Sequence, residues 1–176
     1  MKRRTAVMAL AGLAVPGWLG VTPSLAQPAA QPVSAKPIPD ALSIEANQKY
    51  LEENKARKGT IVRTSGLQFR ILQNGYGKRP QPTDTVKVYY TGRLINGTIF
   101  DGTSPGLPAS FKLNSVIPGW IEALQLMREG DHWQVWIPSS LGYGSRGRGT
   151  IPPDQTLVFD LRLLSATPPP PRSTCH

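Results

Sequence analysis

Five segments of this chain, residues 67–72, 85–90, 110–113, 132–137 and 156–163, place β-branched, aromatic and aliphatic residues at near-alternating positions. A period of two is the pattern of a strand that buries one face, so each segment predicts a β-strand. Only one run between them has the helical period. Residues 120–127 are entered through Pro118-Gly119 and followed by Gly130, and Trp120, Leu124 and Met127 fall at i, i+4 and i+7 on one face. The expectation is an α+β fold, a curved antiparallel five-stranded sheet wrapped around one short helix. Asn96-Gly97, between Arg93-Leu94-Ile95 and Thr98-Ile99-Phe100, predicts a tight hairpin turn with positive φ at both central residues. The same residues spell an Asn-Gly-Thr glycosylation sequon, and the turn is the preferred reading.

The 176 residues allow one domain with appendages. Eighteen prolines and seventeen glycines would dilute a core if dispersed, but the prolines gather at the two ends and in loops. Residues 1–26 read as a signal peptide. Met1-Lys2-Arg3-Arg4 precedes an apolar run that closes on Ser24-Leu25-Ala26, and Pro16-Gly17 interrupts that run against the competing reading of a retained anchor. Arg3-Arg4 leaves a twin-arginine route open beside the preferred general secretory one. The destination is periplasmic or secreted. Gln27 offers no sulfur for lipid anchoring, so the mature chain is expected to have no stable membrane insertion.

Residues 27–41 have the Pro/Ala composition of a linker. Residues 42–59 predict a short helix from an N-cap at Ser43 to a stop at Gly59, weakly amphipathic through Ile44, Tyr50, Leu51 and Ala56. Residues 60–166 form the folded domain, and residues 167–176 a disordered proline-rich tail. Without the three basic residues of the leader the net charge falls from +9 to about +6, and the remaining cations are scattered. That distribution argues against nucleic acid as a partner.

Covalent chemistry has little to work with. The lone Cys175 excludes an internal disulfide, and His132 and His176 have no Cys or carboxylate at ligand spacing, so no metal or cofactor is expected. His132 reads as a surface or packing residue. Gly142-Tyr143-Gly144-Ser145-Arg146-Gly147 matches a dinucleotide fingerprint by letter. That fingerprint must open a helix, which Gly149 and Pro152-Pro153 forbid, so these glycines predict a loop at a pocket rim with Arg146 and Arg148 facing water. A function must come instead from a shaped aromatic pocket.

Val88-Tyr89-Tyr90-Thr91-Gly92, Gly97-Thr98-Ile99-Phe100-Asp101, Val116-Ile117-Pro118-Gly119-Trp120, Tyr143-Gly144 and residues 151–160 resemble, in order and spacing, the FKBP-type peptidyl-prolyl cis-trans isomerases. The resemblance spans residues 67–164. Residues 50–55 and 64–69 are similar to the lead-in of the exported bacterial branch related to the macrophage infectivity potentiator. It implies a proline-binding pocket with Trp120 as floor and Tyr90, Phe100, Val116, Ile117, Ile151 and Phe159 around it. Asp101 and the Tyr143 hydroxyl are the implied polar contacts, and the Ile117 N–H the donor to a substrate carbonyl.

The implied catalytic set is Phe100, Asp101, Trp120 and Tyr143. Implied partners are proline-containing polypeptides and macrolide inhibitors. A non-catalytic holdase using the same cleft is the rival. Three positions depart from the common pattern: Ala109 replaces an aromatic, and Arg148 and Thr150 replace a His and an aliphatic residue. The leading helix is also short for a dimerising one, so a monomer is expected.

Overall fold

The computed structural model describes residues 41–171. The leader, nearly all of the linker, Cys175 and His176 lie outside the described residues. Within them run helix α1 (Ile44–Lys55), strands β1 (Ile61–Val62), β2 (Gln68–Gln73), β3 (Thr85–Arg93), β4 (Ile99–Gly102) and β5 (Ala109–Lys112), helix α2 (Pro118–Leu126), and strands β6 (His132–Ile137) and β7 (Leu157–Thr167). The strands form one sheet in the order β1-β2-β6-β7-β3-β4, with β5 also paired to β3, and every pairing is antiparallel.

The sheet therefore has seven strands where five were expected. Each of the five alternating segments coincides with a strand to within one residue at its start or end, apart from longer extensions of β3 and β7. The additional ones, β1 and β4, are two and four residues long, too short to display an alternation. Strand β3 is the hub. One edge pairs with β7 throughout; the other is shared, with Thr85–Val88 on β5 and Thr91–Arg93 on β4. Tyr90 falls in the gap between those two partners. There the Thr103 side chain accepts from the Tyr90 N–H at 3.1 Å and the Thr103 N–H donates to the Tyr90 carbonyl at 2.9 Å. The loop leaving β4 thus satisfies backbone groups that no strand reaches.

The 94–98 hairpin differs from the expected geometry. Gly97 N–H donates to Leu94 O, which makes Ile95 and Asn96 the central residues, and only Gly97 has a positive φ, of 87°. This is the three-residue hairpin with a glycine bulge. The Asn96 side chain accepts from Thr98 N–H at 3.0 Å, supporting the turn without leaving the ordinary region of φ.

Helix α2 starts two residues earlier than the periodicity indicated, because Pro118 occupies its first turn, where a missing N–H costs nothing. Its buried Trp120, Ala123 and Leu124, with Met127 at its end, join Val86, Val88 and Tyr90 of β3, Val135 of β6 and Phe159 and Leu161 of β7 in the core. Gly119 brings the helix against β6: a β-carbon there would lie 2.5 Å from Ile137 Cγ2.

Helix α1 is N-capped by Ser43, whose side chain accepts from Ala46 N–H at 3.1 Å, and Gly59 follows it at φ 84°. Its packing face is only partly the expected apolar one: Tyr50 and Leu51 are half-buried on it. The buried residues are Asn47 and Asn54, whereas Ile44 is half exposed. Asn54 donates to Gln68 Oε1 at 2.9 Å, Gln68 to Leu51 O at 3.0 Å, Asn47 to Gln155 Oε1 at 3.2 Å, and Thr156 N–H to Asn47 Oδ1 at 2.8 Å. Trp136 Nε1 donates to Tyr50 Oη at 3.3 Å. Each buried amide finds at least one partner across the junction, which makes its burial tolerable, although Asn54 Oδ1 is buried without one among the described residues. The helix covers the outer face at Trp136, so β6 ends with three successive buried residues instead of an alternating pair. Among the described residues no helix is long and apolar enough to cross a membrane.

Candidate functional site

Between α2 and the inner face of the sheet lies a cavity of about 520 Å³. Trp120, at the N-terminal end of α2 and only 5% exposed, is its floor. Three rings stand edge-on to the indole: Tyr90 at 5.0 Å between centroids, Phe159 at 5.3 Å and Phe111 at 5.5 Å. Phe100 on β4 meets Phe159 at 5.7 Å and 90°. Edge-to-face packing of this kind is favourable in its own right, so the box holds its shape when empty. Gly92, buried beneath it, is where Phe100 and Phe159 approach the backbone most closely; a β-carbon there would lie 2.7 Å from both rings.

Polar groups in the box are few. The Tyr90 hydroxyl donates to Asp101 Oδ2 at 2.7 Å, and the Gly102 N–H donates to Asp101 Oδ1 at 2.8 Å. Both carboxylate oxygens are therefore held. Burial first, then the hydrogen bond and charge of Asp101, push the Tyr90 phenol well above the usual tyrosine range. Tyr143 lines the mouth, and its hydroxyl has no hydrogen-bond partner among the described residues. The Ile117 N–H, at the N-cap of α2, likewise donates to no acceptor among them. Trp120 Nε1 is buried without a partner.

Of the residues named from sequence, Tyr90, Phe100, Asp101, Val116, Ile117, Trp120, Tyr143 and Phe159 all line this one cavity. Ile151 does not. It is 7% exposed inside the core cluster, and its N–H and carbonyl exchange hydrogen bonds with Arg148 at 2.9 Å, so it anchors the rim from behind. Two lining residues were missed, Phe111 and Ser115. Phe111 had a signal, as the inward position of a predicted strand two residues after Ala109. Arg148, placed at the rim from sequence, is exposed there as expected, yet its guanidinium sits 5.5 Å over the Tyr143 ring.

The Gly142–Gly147 segment carries one 3-10 turn, Gly144–Arg146, and no α-helix. Gly147, at φ 63°, lies where a β-carbon would meet Ile151 O at 2.3 Å.

On the opposite face, Tyr89, Thr91, His132, Asp160 and Arg162 line a second cavity of about 260 Å³. Here His132 has a carboxylate partner that its sequence neighbourhood did not reveal, Asp160, with Nε2 and Oδ1 2.7 Å apart. The pairing of β6 with β7 creates it, since Asp160 is the register partner of Gln134, two residues along. No group of three metal-ligating side chains occurs among the described residues.

The family model described as FKBP-type peptidyl-prolyl cis-trans isomerase matches residues 77–164. The chain is 54% identical over 118 residues to the FKBP-type 22 kDa peptidyl-prolyl cis-trans isomerase of Escherichia coli (strain K12), a match covering 66% of this chain and 57% of that protein. It is 49% identical to the outer membrane protein MIP of Legionella longbeachae, over 66% of this chain and 51% of that protein. The chain thus spans little more than half the length of these relatives. Among solved structures, the peptidyl-prolyl cis-trans isomerase of Pseudomonas syringae pv. tomato superposes with a TM-score of 0.67 at 37% identity, covering 70% of this chain and 92% of that one. Escherichia coli FkpA superposes at 0.69 with 40% identity, covering 72% of this chain and 60% of that one. An aromatic box floored by Trp120, built on this sheet and matched along residues 77–164, makes the chain a member of the FKBP-type peptidyl-prolyl cis-trans isomerase family.

Proposed function

We propose that this protein catalyses cis–trans isomerisation of Xaa-Pro bonds in polypeptide substrates, in the cavity floored by Trp120. The observation that carries the reading is the ring box itself: four aromatic rings around an indole, and a carboxylate whose two oxygens are already occupied. Such a site has no free nucleophile and needs none. Rotation about the prolyl amide breaks no covalent bond; it crosses a barrier of roughly 18–20 kcal/mol because resonance is lost as the amide twists.

The rings grip pyrrolidine and exclude water, which solvates the planar, more polar amide better than the twisted one. Ile117 N–H and the Tyr143 hydroxyl, both without partners among the described residues, supply donors for substrate carbonyls flanking the rotating bond. Asp101 fixes the Tyr90 ring by accepting its hydroxyl, which keeps the wall in place without placing a mobile charge against the substrate. Binding the twisted amide about 4 kcal/mol better than the planar one gives roughly a thousandfold acceleration. Phe100, Asp101, Trp120 and Tyr143 are the catalytic set in this reading. Macrolides are the class of inhibitor such a box would accept.

The N-terminal sequence of leader character supports export, with action as a monomer on proline-containing clients in the periplasm or outside the cell. The test is the cis-to-trans rate of a short Xaa-Pro peptide, using protein beginning at Gln27 and its Asp101→Ala, Trp120→Ala and Tyr143→Phe variants. Acceleration by the parent that falls in each variant is expected. A folded parent that leaves the rate unchanged would remove the catalytic reading.

A further inference from the structure

We infer that Arg148 makes this site select Xaa-Pro segments carrying a carboxylate next to the proline, an inference that rests on the isomerase reading above. Among the described residues Arg148 is the one cation lining the Trp120 cavity. It is held there from two sides. Its backbone exchanges two 2.9 Å hydrogen bonds with Ile151, a core residue, and its guanidinium lies 5.5 Å over the Tyr143 ring. A guanidinium resting on an aromatic face keeps its N–H donors at the edge free for a planar acceptor.

No described neighbour consumes those donors. Among the described residues Arg148 forms no salt bridge and no side-chain hydrogen bond. The cavity's own carboxylate, Asp101, has its oxygens taken by the Tyr90 hydroxyl and the Gly102 N–H. Of the other charges on the rim segment, Arg146 adds to the positive field and Asp154 opposes it; neither is ion-paired among the described residues. Tyr143, which carries the stacked guanidinium, also presents the free hydroxyl at the cavity mouth. A substrate proline seated on Trp120 therefore brings its neighbouring side chains to the edge where the unpaired cation waits. A charge-assisted, bidentate contact with Asp or Glu fits that edge; a Lys side chain is repelled by it.

The magnitude is modest because Arg148 is exposed: about two- to fivefold in kcat/KM for Glu over Gln. The experiment compares peptides that differ only as Glu, Gln or Lys, immediately before the proline in one series and immediately after it in another, at low and at high salt. Each series is run with the parent, Arg148→Gln and Arg148→Glu. Expected are a Glu/Gln ratio above one in at least one series for the parent, shrinking with salt, a ratio near one in Arg148→Gln, and a preference for Lys in Arg148→Glu. Because each ratio is taken within one variant, a general loss of activity does not affect it. Activity on all peptides with a parent ratio of one in both series, or a preference that survives Arg148→Gln, would overturn this inference while leaving the isomerase reading intact. Absence of activity on every peptide would overturn the isomerase reading instead.

Discussion

Replacing Gly92 by Ala adds one methyl group at the point where the binding box meets the sheet. The new carbon would lie 2.7 Å from Phe100 Cε2 and Cζ and 2.7 Å from Phe159 Cε1. Carbon atoms in contact prefer about 3.5–4.0 Å, so the rings must together retreat by roughly 1 Å. Phe159 cannot yield, being 3% exposed with Trp120 and Phe100 edge-on against it. Phe100 is half-buried on an edge strand, and it is the ring that moves, into the cavity mouth. Overpacking of this order costs about 1–3 kcal/mol. Gly92 has a negative φ, so alanine also returns about 0.4–1 kcal/mol by restricting the unfolded chain.

The net expectation for Gly92→Ala is a loss of about 1–2 kcal/mol, a lowering of the urea midpoint by roughly 0.5–1 M. A wall displaced by this amount should also reduce kcat/KM about tenfold or more. Equilibrium urea unfolding and the peptide isomerisation rate measure the two effects. Combining Gly92→Ala with Phe100→Leu should cost less stability than the two single changes added, because the smaller side chain clears the clash. A Gly92→Ala protein with the parent's midpoint and the parent's rate would refute the argument.

Asn54→Ala leaves Gln68 Oε1 buried without its donor, so a loss of about 1–3 kcal/mol is expected, read by chemical unfolding; an unchanged midpoint would mean that α1 does not contribute to the domain's stability. Tyr90 provides a pH test whose sign follows from its raised folded-state pKa. Its contribution is complete below the ordinary tyrosine value near 10 and is lost as pH climbs from there toward the folded value. Ultraviolet titration of the parent minus Tyr90→Phe should show no tyrosinate from this residue at about pH 10, and above that pH the parent should lose stability more steeply than the variant. Ionisation of Tyr90 at the ordinary value in the folded protein would mean that the buried bond to Asp101 is not formed.

Strand and helix identity were legible because they are written in local periodicity. Alternation in β3 and β7 marks which side chains face inward, and Trp120 with Leu124 and Met127 marks the buried face of α2. The pocket residues Tyr90, Phe100, Asp101, Val116, Ile117, Trp120, Tyr143 and Phe159 could be named because a resemblance carried by short ordered motifs grouped them. Helix α1 was read only in part: Tyr50 and Leu51 lie on its packing face, but Ile44 and Ala56 are exposed, and the fully buried contacts are the amides Asn47, Asn54, Gln68 and Gln155, which no apolar periodicity marks.

Periodicity reports whether a side chain is turned inward, not which distant residue it meets, because cross-strand register is a property of the pairing and not of either strand. Tertiary structure alone therefore placed Asp160 beside His132, moved Ile151 from the pocket wall into the core, and divided the edge of β3 between β4 and β5 so that Thr103 closes the gap at Tyr90. It also laid Arg148 across Tyr143, because the two residues lie on a glycine-containing turn whose path is set by backbone contacts with Ile151 and not by any repeating pattern of side chains.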